Sequence, residues 1–187
     1  MAIDTKAAIK IAGRMRPEPE TWIARDATRV TIRAIRAADF GIEKEFVDGL
    51  SSATGYQRLM STRRLSTAEL ERFTDIDYER EMALIATISS DGRERQIGVA
   101  RYVKEEAAPD EAEFAIVLAD DWQRHGLGRK LLTRLIEVAR REGVRRLVGT
   151  TWSANEAMIA LARRLGFKTA FHRESATITT LTLDLAA

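Results

Sequence analysis

The stretch from Glu113 to Lys130 constrains this chain more than any other. A near-continuous apolar run (Phe114, Ala115, Ile116, Val117, Leu118) gives way to a short polar loop, Ala119-Asp120-Asp121-Trp122, and then to Gln123-Arg124-His125-Gly126-Leu127-Gly128. From Gly126 to Glu142 the residues Leu127, Leu131, Leu135, Ile136, Val138 and Ala139 recur at three- and four-residue spacing, which predicts an amphipathic helix that stops at Gly143. The order is thus strand, glycine-punctuated turn, helix. The apolar run predicts a central strand over Glu111 to Leu118, buried on both faces.

Such a turn has a chemical consequence. The first amides of a helix lack intrahelical acceptors, and the aligned peptide dipoles add partial positive charge, so this end attracts an anion. Glycine at 126 and 128 lets a phosphate approach those amides and frees the backbone to curl around it. Two other nucleotide loops are excluded by their missing residues: there is no third glycine in a G-x-G-x-x-G pattern, and no Gly-Lys-Ser or Gly-Lys-Thr.

The rest of the chain predicts strands over Arg29 to Ile35, Met82 to Ile88, Gln96 to Val103, Arg146 to Thr151, Phe167 to Arg173 and Thr177 to Asp184. Further helices are expected from Phe40 to Leu50, after the Ser66-Thr67-Ala68-Glu69 capping pattern, and from Asn155 to Leu165. Ser51 to Thr62 reads as a loop, Ser89 to Gly92 as a hairpin turn and Ala107 to Asp110 as a connection. Residues 1–26 show no sustained period and read as an N-terminal extension, leaving 27–187 as one domain. The fold class is α/β, in the α+β sense of a mixed, mostly antiparallel sheet covered by helices.

Composition bounds the chemistry. With no cysteine and only His125 and His172, thiolate chemistry is excluded, and no metal site is expected. No apolar run approaches the ~18 residues of a membrane span, and the first residues lack a secretory pattern, so a cytoplasmic, membrane-free protein is expected. The net charge of +2 argues against nucleic acid, although Arg124, Arg129 and Lys130 concentrate positive charge beside the turn.

The segment Gln123 to Gly128 resembles the Q/R-x-x-G-x-G/A signature of the GNAT superfamily of N-acyltransferases. Asn155 through Leu161, followed by Leu165-Gly166-Phe167-Lys168, is similar to that superfamily's second cofactor-side segment. Ile76 through Ala86 and Asp120-Asp121-Trp122-Gln123 further resemble the acetyltransferase domain of bacterial Pat-type protein lysine acetyltransferases, which modify acyl-CoA synthetases. The resemblance covers about Thr28 to Leu185. It implies a GNAT fold, with a central splayed sheet flanked by helices and acetyl-CoA as cosubstrate.

By that resemblance the backbone of Ile116, Val117 and Leu118 pairs with the pantetheine arm. Gln123, Arg124, His125, Gly126, Leu127, Gly128, Arg129 and Lys130 hold the diphosphate mainly through backbone amides, the side chains of Arg124, Arg129 and Lys130 adding charge-assisted bonds to phosphates, the 3′-phosphate of coenzyme A included, and Asn155 contacts the cofactor from the other side while also serving as a helix N-cap. Glu113 is the implied general base, Glu111 being the choice if the register differs by two, and the Leu118 amide is the oxyanion donor. The tyrosine that many relatives carry in the second segment is replaced by Ala162, and Tyr78 is a distant substitute. Trp122 and Trp152 read as packing, and Met158 and Leu161 as core. The expected reaction is acetyl transfer to a primary amine, that of a protein lysine such as one of an acyl-CoA synthetase. A small-molecule amine or polyamine acetyltransferase and a noncatalytic acyl-CoA sensor remain alternatives, and the chain is expected as a monomer or homodimer.

Overall fold

A computed structural model of the chain describes residues 16–59, 65–90, 92–108 and 110–185. Eight strands form one sheet: β1 (Glu20–Ile23), β2 (Arg29–Ala34), β3 (Glu81–Ser90), β4 (Arg93–Lys104), β5 (Glu111–Leu118), β6 (Arg146–Trp152), β7 (Lys168–His172) and β8 (Ser175–Asp184), in the spatial order β1-β2-β3-β4-β5-β6-β8-β7. Every neighbouring pair is antiparallel except β5 and β6. That exception follows from connectivity, because β5 reaches β6 through a full helical crossover, whereas hairpins or returning connections join the others.

Five α-helices accompany the sheet: α1 (Phe40–Asp48), α2 (Ser52–Leu59), α3 (Thr67–Thr74), α4 (Leu127–Arg141) and α5 (Glu156–Arg164). The capping pattern at Ser66 is realised in both directions, Ser66 Oγ accepting from the Glu69 amide and the Glu69 carboxylate accepting from the Ser66 amide. α4 supplies the largest apolar stripe. Its Leu127, Leu131, Leu132 and Leu135 are fully buried in the main core with Ile32, Leu84, Ile97 and Leu147, each contributing about 1.5–3 kcal/mol by burial. A smaller core of Ile35, Phe46, Ala83, Ile85, Val99 and Val117 lies between the opposite face and α1.

A bulge aligns these two faces. Thr87 pairs with Gln96 but Ala86 pairs with Gly98, so Ile97 is the extra residue. Before the bulge odd residues of β4 face α4, and after it even ones do, which places Ile97, Ala100 and Tyr102 in one core and Val99 in the other. Arg101 and Val103 consequently share the α1 face with Glu113, Ala115 and Val117 of the neighbouring strand.

The structure corrects three local readings. Ser52–Leu59 is helical, not loop, because Ser51 and Thr54 are tied to Asp120 across the fold; residues 60–62 of the expected loop lie outside the described residues. Residues 20–23, within the expected extension, form β1 and pair with β2, a strand too short to show a period; residues 1–15 lie outside the described residues. β5 is not buried on both faces, since Glu113 and Ala115 are exposed where no helix covers them. The hairpin turn and the Ala107 to Asp110 connection fall where expected, although Asp91 and Pro109 lie outside the described residues.

Space at two glycines gives predictions of opposite sign. A Cβ on Gly149 would sit 2.7 Å from Phe114 Cε1 and 3.0 Å from Cδ1, against a ring already packed on Phe167 at 4.9 Å between centroids. Gly149→Ala is therefore expected to destabilise the protein by about 1–3 kcal/mol. Gly55→Ala, in α2 with nothing near its Cβ position, is expected to stabilise it by about 0.4–1 kcal/mol. Chemical denaturation of both variants checks the pair.

Candidate functional site

β5 and β6 form a fork. They pair only at Glu111 with Arg146, Ala112 with Leu147 and Glu113 with Val148. Beyond that point β5 stays with β4 as far as Leu118 opposite Gly98, while β6 stays with β8 as far as Trp152 opposite Ile178. The Phe114 ring fills the space a side chain at Gly149 would need, one residue past the last pair. A cavity of about 1230 Å³ occupies the opening.

The backbone of β5 presents polar groups to this cavity. The Ala119 amide donates to Ile97 O at 2.9 Å, so strand alternation turns the amides of Val117 and Ala115 toward β4 and those of Ile116 and Leu118 toward the opening. Glu113 is exposed and lines the cavity beside the last β5–β6 pair. Glu111 is engaged elsewhere. Its carboxylate lies 3.1 Å from Arg146, which also pairs with Asp184 at 3.0 Å, and it does not line the cavity.

The loop after β5 is held from below. A 3-10 turn, Asp120–Trp122, buries Trp122 in the core. Asp120 accepts from Ser51 N at 2.9 Å, Ser51 Oγ at 2.8 Å and Thr54 Oγ1 at 2.6 Å, binding the start of α2 to the loop. Burial acts to raise the Asp120 carboxyl, but the hydrogen bonds from Ser51 and Thr54 outweigh it and hold it below the ordinary carboxylate value. Gln123 Nε2 donates to Thr54 Oγ1 at 3.2 Å, so this side chain positions the loop.

The loop then turns sharply. Arg124 has φ +65° and Gly126 φ +90°, a conformation costly for a residue with a Cβ and open to glycine. The first bond of α4 runs from Lys130 N to Gly126 O at 3.1 Å, leaving the amides of Leu127, Gly128 and Arg129 ahead of it. Leu127 is fully buried, so only its backbone is available to a ligand. Gly128 has a packing role besides: a Cβ there would lie 3.3 Å from both Leu118 Cδ1 and Leu161 Cδ2.

The remaining candidate side chains have partners of their own within the protein or line the cavity. Lys130 is ion-paired with Glu20 of β1, which also approaches Arg134 at 3.6 Å. His125 Nδ1 lies 2.8 Å from Gln123 O, and because a carbonyl only accepts, this bond requires the Nδ1–H tautomer or the imidazolium. Asn155 Oδ1 accepts from Met158 N at 3.1 Å, the N-cap expected from sequence, and the residue also lines the cavity. Met158 and Leu161 line the cavity as well as packing on the core. Trp152 stacks on Tyr56 at 5.4 Å. Ala162 is fully buried. Tyr78 is remote from the cavity, its hydroxyl donating to Ile35 O, and burial pushes its pKa up. His172 accepts from Glu174 N at 3.3 Å in the β7–β8 turn.

Sequence reasoning missed Trp22, Arg25, Thr54, Arg101 and Gly149 as cavity residues. The bulge at Ile97 hides Arg101, since simple alternation cannot reveal which way β4 faces beyond it. Trp22 belongs to a strand of only four residues.

A forked sheet with backbone amides along one prong, and a helix N-terminus and arginines at its end, is the architecture of a protein class that takes a long anionic ligand lengthwise. Comparison with known proteins makes the class specific. The model of the Acetyltransferase (GNAT) family matches residues 53–167. An acetyltransferase of Pseudomonas aeruginosa is 37% identical over 155 residues, 80% of this chain and 82% of that protein. The acetyltransferase Pat of Mycolicibacterium smegmatis is 34% identical over 116 residues, 62% of this chain and 34% of that protein. Among solved structures, the GNAT domain of PAT from S. lividans superposes with a TM-score of 0.79 at 26% identity, covering 89% of this chain and 96% of that one. The chain belongs to the GNAT acetyltransferase family, whose acyl donor is acetyl-CoA.

The Asp120 anchor yields a pH prediction. A carboxyl depressed by folding contributes stability that is fully present above its unfolded value and is lost as the pH falls through the folded one. Asp120→Asn is expected to melt below the wild type at pH 7, with the gap narrowing as the pH falls below about 4. Thermal melts of both proteins at pH 7 and about pH 3 check this, and a gap independent of pH contradicts it.

Proposed function

We infer that the protein is an N-acetyltransferase that moves the acetyl group of acetyl-CoA to a primary amine, that of a protein lysine, with Glu113 as general base. The carrying observation is Glu113 itself, an exposed carboxylate at the closed end of the fork, on a cavity whose far end holds the amide-rich loop. Similarity to the acetyltransferase Pat and to the GNAT domain of PAT, together with the Pat-type resemblance of the sequence, supports a protein acceptor such as an acyl-CoA synthetase.

The chemistry sets what these residues must do. Bound acetyl-CoA supplies an activated acyl thioester. A lysine ammonium, with a solution pKa near 10.4, is neutral in only about 0.04% of molecules at pH 7, a scarcity of roughly 4.6 kcal/mol. Glu113 takes the ammonium proton, directly or through one water, and frees the nitrogen lone pair to attack the acyl carbon. As the carbonyl oxygen gains charge, the Leu118 amide, turned toward the opening, donates to it. Collapse breaks the carbon–sulfur bond and releases the thiolate of coenzyme A, while the attacking nitrogen, which still holds one proton more than an amide, gives it up to water. Ala162 has no proton to give, so protonation of this stable leaving group falls to water.

The loop residues grip the other end of the cosubstrate. The amides of Leu127, Gly128 and Arg129 face the diphosphate, Arg124 and Arg129 add charge, and Asn155 closes the opposite side while capping α5. Lys130 contributes only by exchanging Glu20 for a phosphate.

Glu113→Gln preserves size and removes the base. It is expected to lower kcat by about 10²- to 10⁴-fold on a lysine-containing acyl-CoA synthetase while leaving acetyl-CoA affinity within about twofold. Steady-state kinetics and calorimetry on the same preparation check this, and unchanged kcat removes Glu113 from the role.

A further inference from the structure

The β1–β2 hairpin lies outside the segment matched by the family model, which begins at residue 53, yet it walls the loop end of the cavity. Trp22 lies so close that its Cζ2 would be 3.9 Å from a Cβ on Gly126. Arg25 lines the same cavity from the tight turn that joins the strands, where Ala24 N donates to Thr28 O at 2.9 Å and Thr28 N to Asp26 Oδ1 at 3.0 Å.

Charge accounting separates the cations here. Glu20 neutralises Lys130 and approaches Arg134. Among the described residues, Arg25, Arg124, Arg129 and Arg164 line the cavity without an ion-pair partner within the protein, and Arg164 does so from the last turn of α5, not beside the loop. Arg124 and Arg129 flank the loop amides and so belong with a diphosphate. Arg25 comes from a different element, across the loop, where a second and separate anionic group can meet it. A nucleotide cofactor that carries a phosphomonoester on its ribose, as coenzyme A does, presents two such groups, a diphosphate and a doubly charged monoester.

We propose that Arg25 is a specificity residue that pairs with the ribose 3′-phosphate of the cofactor, with Trp22 as the wall that keeps the nucleotide against the loop. This rests on the acetyl-CoA reading above and adds to it a means of distinguishing coenzyme A from its 3′-dephospho form. The loss of one solvent-facing ion pair sets the expected scale at about fivefold in affinity.

Calorimetry with coenzyme A and 3′-dephospho-coenzyme A tests it without knowledge of the acceptor. The wild type is expected to bind coenzyme A more tightly, by about fivefold. Arg25→Ala weakens coenzyme A by that factor and leaves the dephospho form within about twofold, whereas Arg25→Lys restores most of the preference. Arg129→Ala weakens both ligands alike, as a diphosphate contact does. Equal loss of both ligands in Arg25→Ala, or a wild type that does not distinguish them, overturns the assignment while leaving acetyl-CoA as cosubstrate. Absence of binding by either ligand overturns the acetyl-CoA reading itself.

Discussion

The early end of β5–β6 pairing governs the rest of this structure. Three residue pairs join the strands before each follows its other neighbour, so peptide groups that a continuous sheet would consume stay available beyond Glu113. An unpaired strand edge inside a protein is costly unless something hydrogen-bonds to it. The cavity along that edge is therefore best understood as space kept for an extended, polar-backboned ligand. Phe114 over Gly149 maintains the separation, and the Ile97 bulge turns Val99 and Arg101 toward the same side of the sheet as Glu113.

The loop at the far end is held by tertiary contacts more than by its own sequence. Asp120 joins the 3-10 turn to Ser51 and Thr54, Thr54 in turn accepts from Gln123, and Trp122 is sunk in the core. Gln123 is thus the link through which α2 fixes the loop, and the ligand-facing groups are mainly backbone amides. That division explains why Leu127 can be fully buried and Gly128 packed against Leu118 and Leu161 while the amides of both remain ahead of the first helical hydrogen bond.

Legibility in the sequence tracked the range of the interactions involved. The strand before the loop, Glu111 to Leu118, and the helix after it were readable because apolar periodicity, Gly126 and Gly143 are local signals. The same holds for the Asn155 cap and the Ser66 box. α2 was not readable, since its anchor lies nearly seventy residues away in Asp120. Nor was the fate of Lys130, which depends on Glu20 in a strand of four residues. The difference between Glu113 and Glu111 needed the structure too: both share a strand face, but Glu111 pairs with Arg146 while Glu113 lines the cavity.

The charges along the cavity are ordered, and the order matters for catalysis. Glu113 stands at the closed end of the fork with Arg101 of the neighbouring strand on the same face, neutral amides line the middle near Ile116 and Leu118, and Arg124 and Arg129 stand at the open loop. The span from Glu113 to Leu118 alone is about 17 Å of strand. A ligand with phosphates at one end and a neutral thioester at the other is attracted in a single direction, because reversal would bring its phosphates onto a carboxylate. Orientation is thereby settled before any specific contact forms.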